Sequence, residues 1–303
     1  MKVLCYGSLN IDYVYSVDHF VRKGETLSSN GLSVFPGGKG LNQSVALAKA
    51  GAKVVHAGAI GEDGRFLLSI LSTAGVNTSL VEILPEIRTG NAIIQNDVNG
   101  ENCILLYGGA NRAVTEEMVK KTLSHFSAGD WILLQNEISS LPFLIEKAHQ
   151  KGMKIALNPS PMERAVKDLP LSLVDVFLVN EIEAAELIRE FSGKEAEASD
   201  PCALTEGLSR IFPEAVVILT LGEKGSVYIS KEKTFSQKAY KVKAVDTTAA
   251  GDTFTGFLMA GLLSGESPEE AMEEAAKASA IAVTKKGAAP SIPSRAEVQA
   301  AIL

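Results

Sequence analysis

Continuous apolar runs recur along this chain with room for a helix between most of them. The runs are KVLCYG (2–7), KVVHAGAIG (53–61), DWILLQN (130–136), MKIALN (153–158), VDVFLVN (174–180) and AVVILTLG (215–222). Amphipathic segments stand between them: GLNQSVALAKAG (40–51), closed by Gly51, then SSLPFLIEKAHQKG (139–152) and NEIEAAELIREF (180–191). Strands that are apolar on both faces have to be covered on both faces, and parallel neighbours need a long crossover between them. The alternation therefore predicts an α/β fold of three layers, a mostly parallel central sheet flanked by helices. With 303 residues and no repeat or linker, the chain reads as a single domain over 1–303.

Two stretches break the rhythm. IDYVYSVDHF (11–20) and GNAIIQNDVNGENCILLYGG (90–109) read as partly exposed strands, with Asn99-Gly100 as a hairpin turn. They predict a small β-sheet, built from about 11–36 and 88–109, standing over the main body as a lid. Residues 193–201 read as a surface loop.

The bulk properties exclude several function classes. A net charge of −7 provides no basic excess to neutralise phosphates, so a nucleic-acid partner is not expected. No uninterrupted apolar run approaches the ~20 residues of a membrane helix, so no membrane partner is expected either. Cys5, Cys103 and Cys202 are odd in number and far apart, and the 4 histidines are equally scattered; neither a disulfide framework nor a zinc site is indicated. MKVLCYGSLN reads as a first strand rather than a signal segment, and the cytoplasm is the expected location.

Polar residues gather where the apolar runs end: Gln135, Asn136 and Glu137 after WILL, Asn158 after IAL, Asn180 after FLV, Thr220 and Gly222 after VVIL. In an open parallel sheet ligands bind beyond the carboxyl ends of the strands, so these positions are expected to line one crevice. Four local motifs add to it. PGGKGLNQSVALAKAG (36–51) sets glycines and Lys39 ahead of a helix, with Asn42 and Gln43 in or near its first turn; it is neither a Walker A loop nor a dinucleotide fingerprint. In GSLNID, Asn10 and Asp12 are two apart and share one side of an extended chain, an arrangement suited to vicinal hydroxyls or to an ordinary strand-end turn. NEIEAAEL fits a capping box of Asn180 and Glu183, or a carboxylate ordering water around magnesium. DTTAAGDTF (246–254) is either a plain helix start capped by Thr or an anion site with a base beside it.

Taken together, YGSLNIDYV, PGGKGLNQSVA, GAIGEDG, NPSP, NEIEAAEL, TLGEKG, VDTTAAGDTFTGF and VTKKGAAPSIP resemble the ribokinase family of PfkB-type carbohydrate kinases, in order and over essentially the whole chain. The resemblance implies a sheet of about nine strands with a β-lid over the sugar, and an ATP-dependent kinase acting on O5 of D-ribose, or on another sugar or a nucleoside; a sugar sensor without catalysis is the remaining alternative. It implies Asp252 as base and the backbone N–H groups of Ala249, Ala250 and Gly251 as an anion hole for the γ-phosphoryl group. Asn10, Asp12, Gly38, Lys39, Asn42 and Glu137 match the sugar-binding positions. Asn180, Thr220, Leu221, Gly222, Glu223, Lys224, Gly225 and Gly251 match those for the nucleotide, and Glu183 the acid near Mg2+. Asp246, Thr248, Ala282, Lys285, Gly287 and Ser291 match the ligands of K+, largely through carbonyl oxygens. Val14, Val17, Ile93 and Leu105, read as exposed on the lid, suggest a homodimer formed through it.

Overall fold

The computed structural model describes residues 2–162 and 164–303. In chain order its elements are β1 (Val3–Tyr6), β2 (Asn10–Ser16), β3 (Gly31–Gly37), α1 (Lys39–Lys49), β4 (Val54–Ile60), α2 (Arg65–Thr73), β5 (Asn77–Ile83), β6 (Gly90–Asn96), β7 (Asn102–Tyr107) and α3 (Glu116–Leu123). There follow β8 (Trp131–Gln135), α4 (Leu141–Gln150), β9 (Lys154–Asn158), β10 (Val176–Asn180), α5 (Glu181–Ser192), α6 (Pro201–Ile211) and β11 (Val216–Thr220). The chain ends with β12 (Ser226–Ile229), β13 (Thr234–Gln237), α7 (Ala250–Ser264), α8 (Pro268–Ala282) and α9 (Arg295–Ala300).

Nine strands form the central sheet in the order β13-β12-β11-β10-β9-β8-β1-β4-β5. From β11 to β5 every neighbouring pair is parallel; β12 and β13 return antiparallel at one edge. Alternate residues of each strand enter opposite layers, as the two-residue period requires. Leu4, Tyr6, Ile132, Leu134, Phe177 and Val179 join the layer of α3, α4, α5 and α6. Val3, Cys5, Leu133, Val176, Leu178 and Ile218 join that of α1, α2, α7 and α8. Because β1, β8, β9, β10 and β11 run the same way, their carboxyl ends lie along one edge.

The two irregular stretches pair with each other in a separate four-stranded sheet, β3-β2-β6-β7. Tyr13 sits opposite Val34 on one side and Ile93 on the other, and Ile93 sits opposite Leu105. Residues opposite one another share a face, so this row is continuous; in it Val34 is 50% exposed, Ile93 40% and Leu105 67%. Val17, expected to be exposed with them, is buried instead: it lies one residue beyond β2, where its N–H donates to the carbonyl of Asn96 at the end of β6. The Asn99-Gly100 turn forms as read, with Gly100 at φ 82 and the Asp97 carboxylate accepting from the N–H groups of Asn99 and Glu101.

Helices α1 and α7 cross in direct backbone contact. A β-carbon placed on Gly256 of α7 would lie 2.7 Å from the Leu47 backbone nitrogen and 2.8 Å from the Ala46 carbonyl carbon, closer than real side chains approach. Gly256→Ala is therefore expected to force the helices apart and to lower stability by about 1–3 kcal/mol, read as a lower urea midpoint with an unchanged slope. A midpoint equal to that of the parent would contradict the packing described.

Candidate active site

The stretch between β1 and β2 and the start of α1 meet at the carboxyl edge of the sheet. Gly38, at φ 94, turns the chain into α1 where a β-carbon would press on the Ser8 carbonyl and the Asn10 N–H. From the end of β8, Glu137 reaches this turn: its Oε2 accepts the Lys39 N–H at 3.1 Å and the Ser8 hydroxyl. Asn10 and Asp12 project from the same side of β2, as the strand period requires, and a glycine at 37 leaves space for the Asp12 carboxylate. Asn10 and Glu137, with Leu106, Gly108, Asn111, Arg112 and Pro161, line a cavity of about 220 Å³.

The charges here interact. Burial pushes the Asp12 carboxyl up to about 6, and the nearby Glu137 charge adds to the rise. Burial also raises Glu137 above the usual carboxylate range, against the opposing pull of Ser8 and Lys39. Burial works against the charge of Lys39, but Asp252, Glu137 and Glu183 outweigh it and hold the ammonium above the ordinary lysine range. Lys39 thus stands among several carboxylates.

Asp252 lies in the first turn of α7 and is buried. Its Oδ1 accepts Gln43 Nε2 at 2.9 Å and its Oδ2 accepts Asn42 Nδ2 at 3.0 Å, both from α1. The helix is not capped by a threonine side chain: its N-cap is Ala249, held in the left-handed region at φ 59, with no side-chain cap bond. Such a conformation in a non-glycine residue costs about 1–3 kcal/mol and marks a constrained site. The Ala250 N–H turns back onto the Thr247 carbonyl at 3.2 Å, while the N–H groups of Ala249 and Gly251 find no acceptor among the described residues. Gly251 is exposed and a β-carbon on it would meet nothing within 4 Å, so open space lies beside these donors at the positive end of a fifteen-residue helix.

Farther along the edge, Asn180 and Thr220 are in register on β10 and β11. Asn180 caps α5 through its Oδ1, and the Glu183 Oε2 returns to the Asn180 N–H at 3.0 Å, so the capping box is present; the second Glu183 oxygen takes no part in it. Leu221 to Gly225 form a tight turn, with the Leu221 N–H donating to the Gly225 carbonyl at 2.8 Å and Gly222 and Gly225 at φ 55 and 96. Glu223 is exposed at this turn, and the Lys224 ammonium reaches the Ser199 carbonyl. Among the described residues no direct bond joins Asn180 or Glu183 to Asp252.

Asp246 ties two loops together. Its Oδ1 accepts the Thr248 N–H and its Oδ2 the Gly287 N–H, each at 2.9 Å. Burial opposes the charge of this carboxylate, but those bonds prevail and hold its pKa below the usual range. The loops carry Thr248 on one side and Ala282, Lys285, Gly287 and Ser291 on the other. Part of this set is internally engaged: the Ala282 carbonyl accepts the Lys285 N–H, and the Ser291 hydroxyl donates to the Ala288 carbonyl.

Sequence reasoning missed Asn111. It is buried, and its side chain accepts the Leu9 N–H at 3.0 Å while its Nδ2 donates to Asn10 Oδ1 at 2.8 Å. That engages the Asn10 carbonyl oxygen, so Asn10 offers its NH2 as a donor to the cavity rather than a second acceptor beside Asp12. The partners are 101 residues apart and no local pattern links them. The GAIGEDG segment is accounted for by anchoring: Asp63 Oδ1 accepts the Thr89 N–H and hydroxyl, and Thr89 Oγ1 accepts the Gly61 N–H, which fixes the entry to β6.

Residues 1–295 match the pfkB family carbohydrate kinases. A protein of Haemophilus influenzae named ribokinase is 37% identical over 297 residues, spanning 96% of this chain and 95% of that protein. The structure of Cryptococcus neoformans ribokinase in complex with ADP superposes with a TM-score of 0.88 at 34% identity, covering 98% of each chain. That of Arabidopsis thaliana ribokinase complexed with ribose and ATP gives 0.86 at 29% identity, covering 98% of this chain and 97% of the other.

The raised Asp12 carboxyl makes a testable statement about stability. With a folded pKa of about 6 against the ordinary 3.8, its favourable contribution is complete below the unfolded value and is lost as pH rises through the folded one. Asp12→Asn is expected to raise unfolding free energy at about pH 7.5 by about 1–2 kcal/mol and to leave it near the parent value at about pH 4. An equal gain at both pH values would show that the charge is not responsible.

Proposed function

The chain belongs to the pfkB family of carbohydrate kinases, and from that premise we propose that it transfers the γ-phosphoryl group of ATP to the O5 hydroxyl of D-ribose, giving ribose 5-phosphate and ADP. The observation that carries the reading is the buried Asp252 carboxylate, fixed by two amides, near backbone donors with open space beside them at the start of α7. The relatives named ribokinase support the choice of sugar and nucleotide.

In this reading Asp252 takes the proton of O5 as that oxygen attacks phosphorus and the bond to the ADP oxygen breaks. The negative charge of the transferring group falls on the N–H groups of Ala249 and Gly251, with Ala250 closing the turn that aims them. Asp12 accepts from sugar hydroxyls and Asn10 donates to one, while Gly38, Lys39, Asn42 and Glu137 complete the sugar site. Asn180 and the turn from Thr220 to Gly225 receive the nucleotide. The four-stranded sheet serves as the lid over the sugar, and its exposed row of Val34, Ile93 and Leu105 is the surface through which two chains pair.

The oxygen donors fit hard cations. The unshared Glu183 oxygen suits a water-mediated contact to Mg2+, which would supply charge neutralisation at the triphosphate. One carboxylate, Asp246, among carbonyl and hydroxyl oxygens suits K+, which would add positive charge behind the anion hole. The cytoplasm is the compartment in which we place the reaction; no helix among the described residues is long and apolar enough to cross a membrane.

ADP release from Mg-ATP tests the reading, with D-ribose, 2-deoxyribose, fructose, tagatose and adenosine as acceptors, in potassium and in a large non-activating cation. Ribose-dependent turnover that falls without potassium is expected, and Asp252→Asn should lower kcat by about 10²–10⁴-fold with the fold intact. Turnover confined to another acceptor would replace the substrate. A near-normal rate in D252N would remove the assigned base. For the lid, sedimentation of the parent chain should give a dimer that Leu105→Glu converts to monomer; a monomeric parent at micromolar concentration would contradict the pairing.

A further inference from the structure

Behind the base, Gln43, one of the two amides on its carboxylate, is itself held by a second glutamine, Gln135. Gln43 of α1 and Gln135 at the end of β8 are both fully buried. Gln135 Nε2 donates to Gln43 Oε1 at 2.6 Å. Gln43 Nε2 donates to Asp252 Oδ1 at 2.9 Å and to Asn158 Oδ1 at 3.2 Å. Asn158 Nδ2 in turn donates to the Leu178 main-chain carbonyl at 2.9 Å. The polarity of this chain is set from its far end, because a main-chain carbonyl can only accept. Asn158 must therefore direct its NH2 to β10 and its carbonyl to Gln43. Gln43 must direct its NH2 to Asn158 and Asp252, which leaves its carbonyl for Gln135. Reversing any one amide would oppose two carbonyls or two NH2 groups in a buried site.

We propose that Gln43, held in one orientation by Gln135 and Asn158, is a positioning residue that fixes the plane of the Asp252 carboxylate for its work as base. The proposal rests on the reading of Asp252 as that base. Gln43 secures Oδ1 and Asn42 secures Oδ2, which restrains rotation of the carboxylate and leaves its remaining lone pairs for the acceptor hydroxyl. The titratable groups whose fields reach Asp252 are Lys39 of α1, Glu137 beyond β8 and Cys5 of β1. From α8 the polar contact at this helix end is Ser279, whose hydroxyl donates to the Ala250 carbonyl. Among the described residues only the two amides donate to the carboxylate, so its orientation depends on them.

The test measures kcat and both KM values across pH with D-ribose and Mg-ATP. Gln43→Glu keeps the shape and replaces the donor by a second carboxyl, so that two carboxyl groups share one proton. Its acid limb in kcat is expected to move up by about one pH unit or more. Gln43→Met keeps the volume and removes the donor; kcat should fall by about 10- to 100-fold, the equivalent of one charge-assisted hydrogen bond, with both KM values and Tm held. A Q43E limb coincident with the parent's, or a Q43M kcat equal to the parent's, overturns the proposal. A loss spread evenly over kcat, both KM values and Tm marks a merely structural role and overturns it too. If Q43E does not fold, Q43M decides alone. D252N separates the two failures: a D252N chain that keeps turnover removes the base itself, whereas an inactive D252N beside an unaltered Q43M rejects only the positioning role.

Discussion

The candidate site depends on how closely α1 approaches α7. Gly256 has no side chain where Ala46 and Leu47 pass, and that contact sets the distance from Asp252 to Asn42 and Gln43. Both helices start at the same edge of the sheet. The glycine turn before α1 and the strained Ala249 before α7 therefore face each other across one crevice. A larger residue at 256 would displace the Asp252 carboxylate from its amides without altering either side chain.

The second constraint is electrostatic. Asp252, Glu137 and Glu183 act on Lys39, and Glu137 acts on Asp12, in partly or fully buried surroundings. Burying several carboxylates costs stability unless each is paired or hydrogen-bonded. The chain meets this with neutral donors, Ser8 and the Lys39 N–H for Glu137 and two amides for Asp252. Asp12 is the carboxylate left least compensated, and its pKa is raised accordingly. A group poised in this way is suited to accepting hydrogen bonds from ligand hydroxyls, which supply what the protein does not.

Much of the site was readable from strand ends. Glu137, Asn158, Asn180 and Thr220 were identified because polar residues closing successive apolar runs in a parallel sheet converge on one edge. Asn10 and Asp12 followed from the two-residue period. The role of Asn10 did not: only Asn111, brought over from the segment after β7, engages its carbonyl oxygen and leaves its NH2 as the donor. Val17, expected to be exposed on the lid, lies beyond the strand, which ends at Ser16.

The sequence by itself determined the layers, the strand direction, the small second sheet and the helix starts, because periodicity, glycine placement and caps act between residues close in the chain. Only the tertiary structure decided which way each amide points and which carboxylates share a field. Those outcomes arise between residues such as Gln43 and Asp252, 209 apart, and Asn10 and Asn111, 101 apart. A hydrogen bond's direction is fixed by the partner that packing delivers, and that partner leaves no mark on the local pattern.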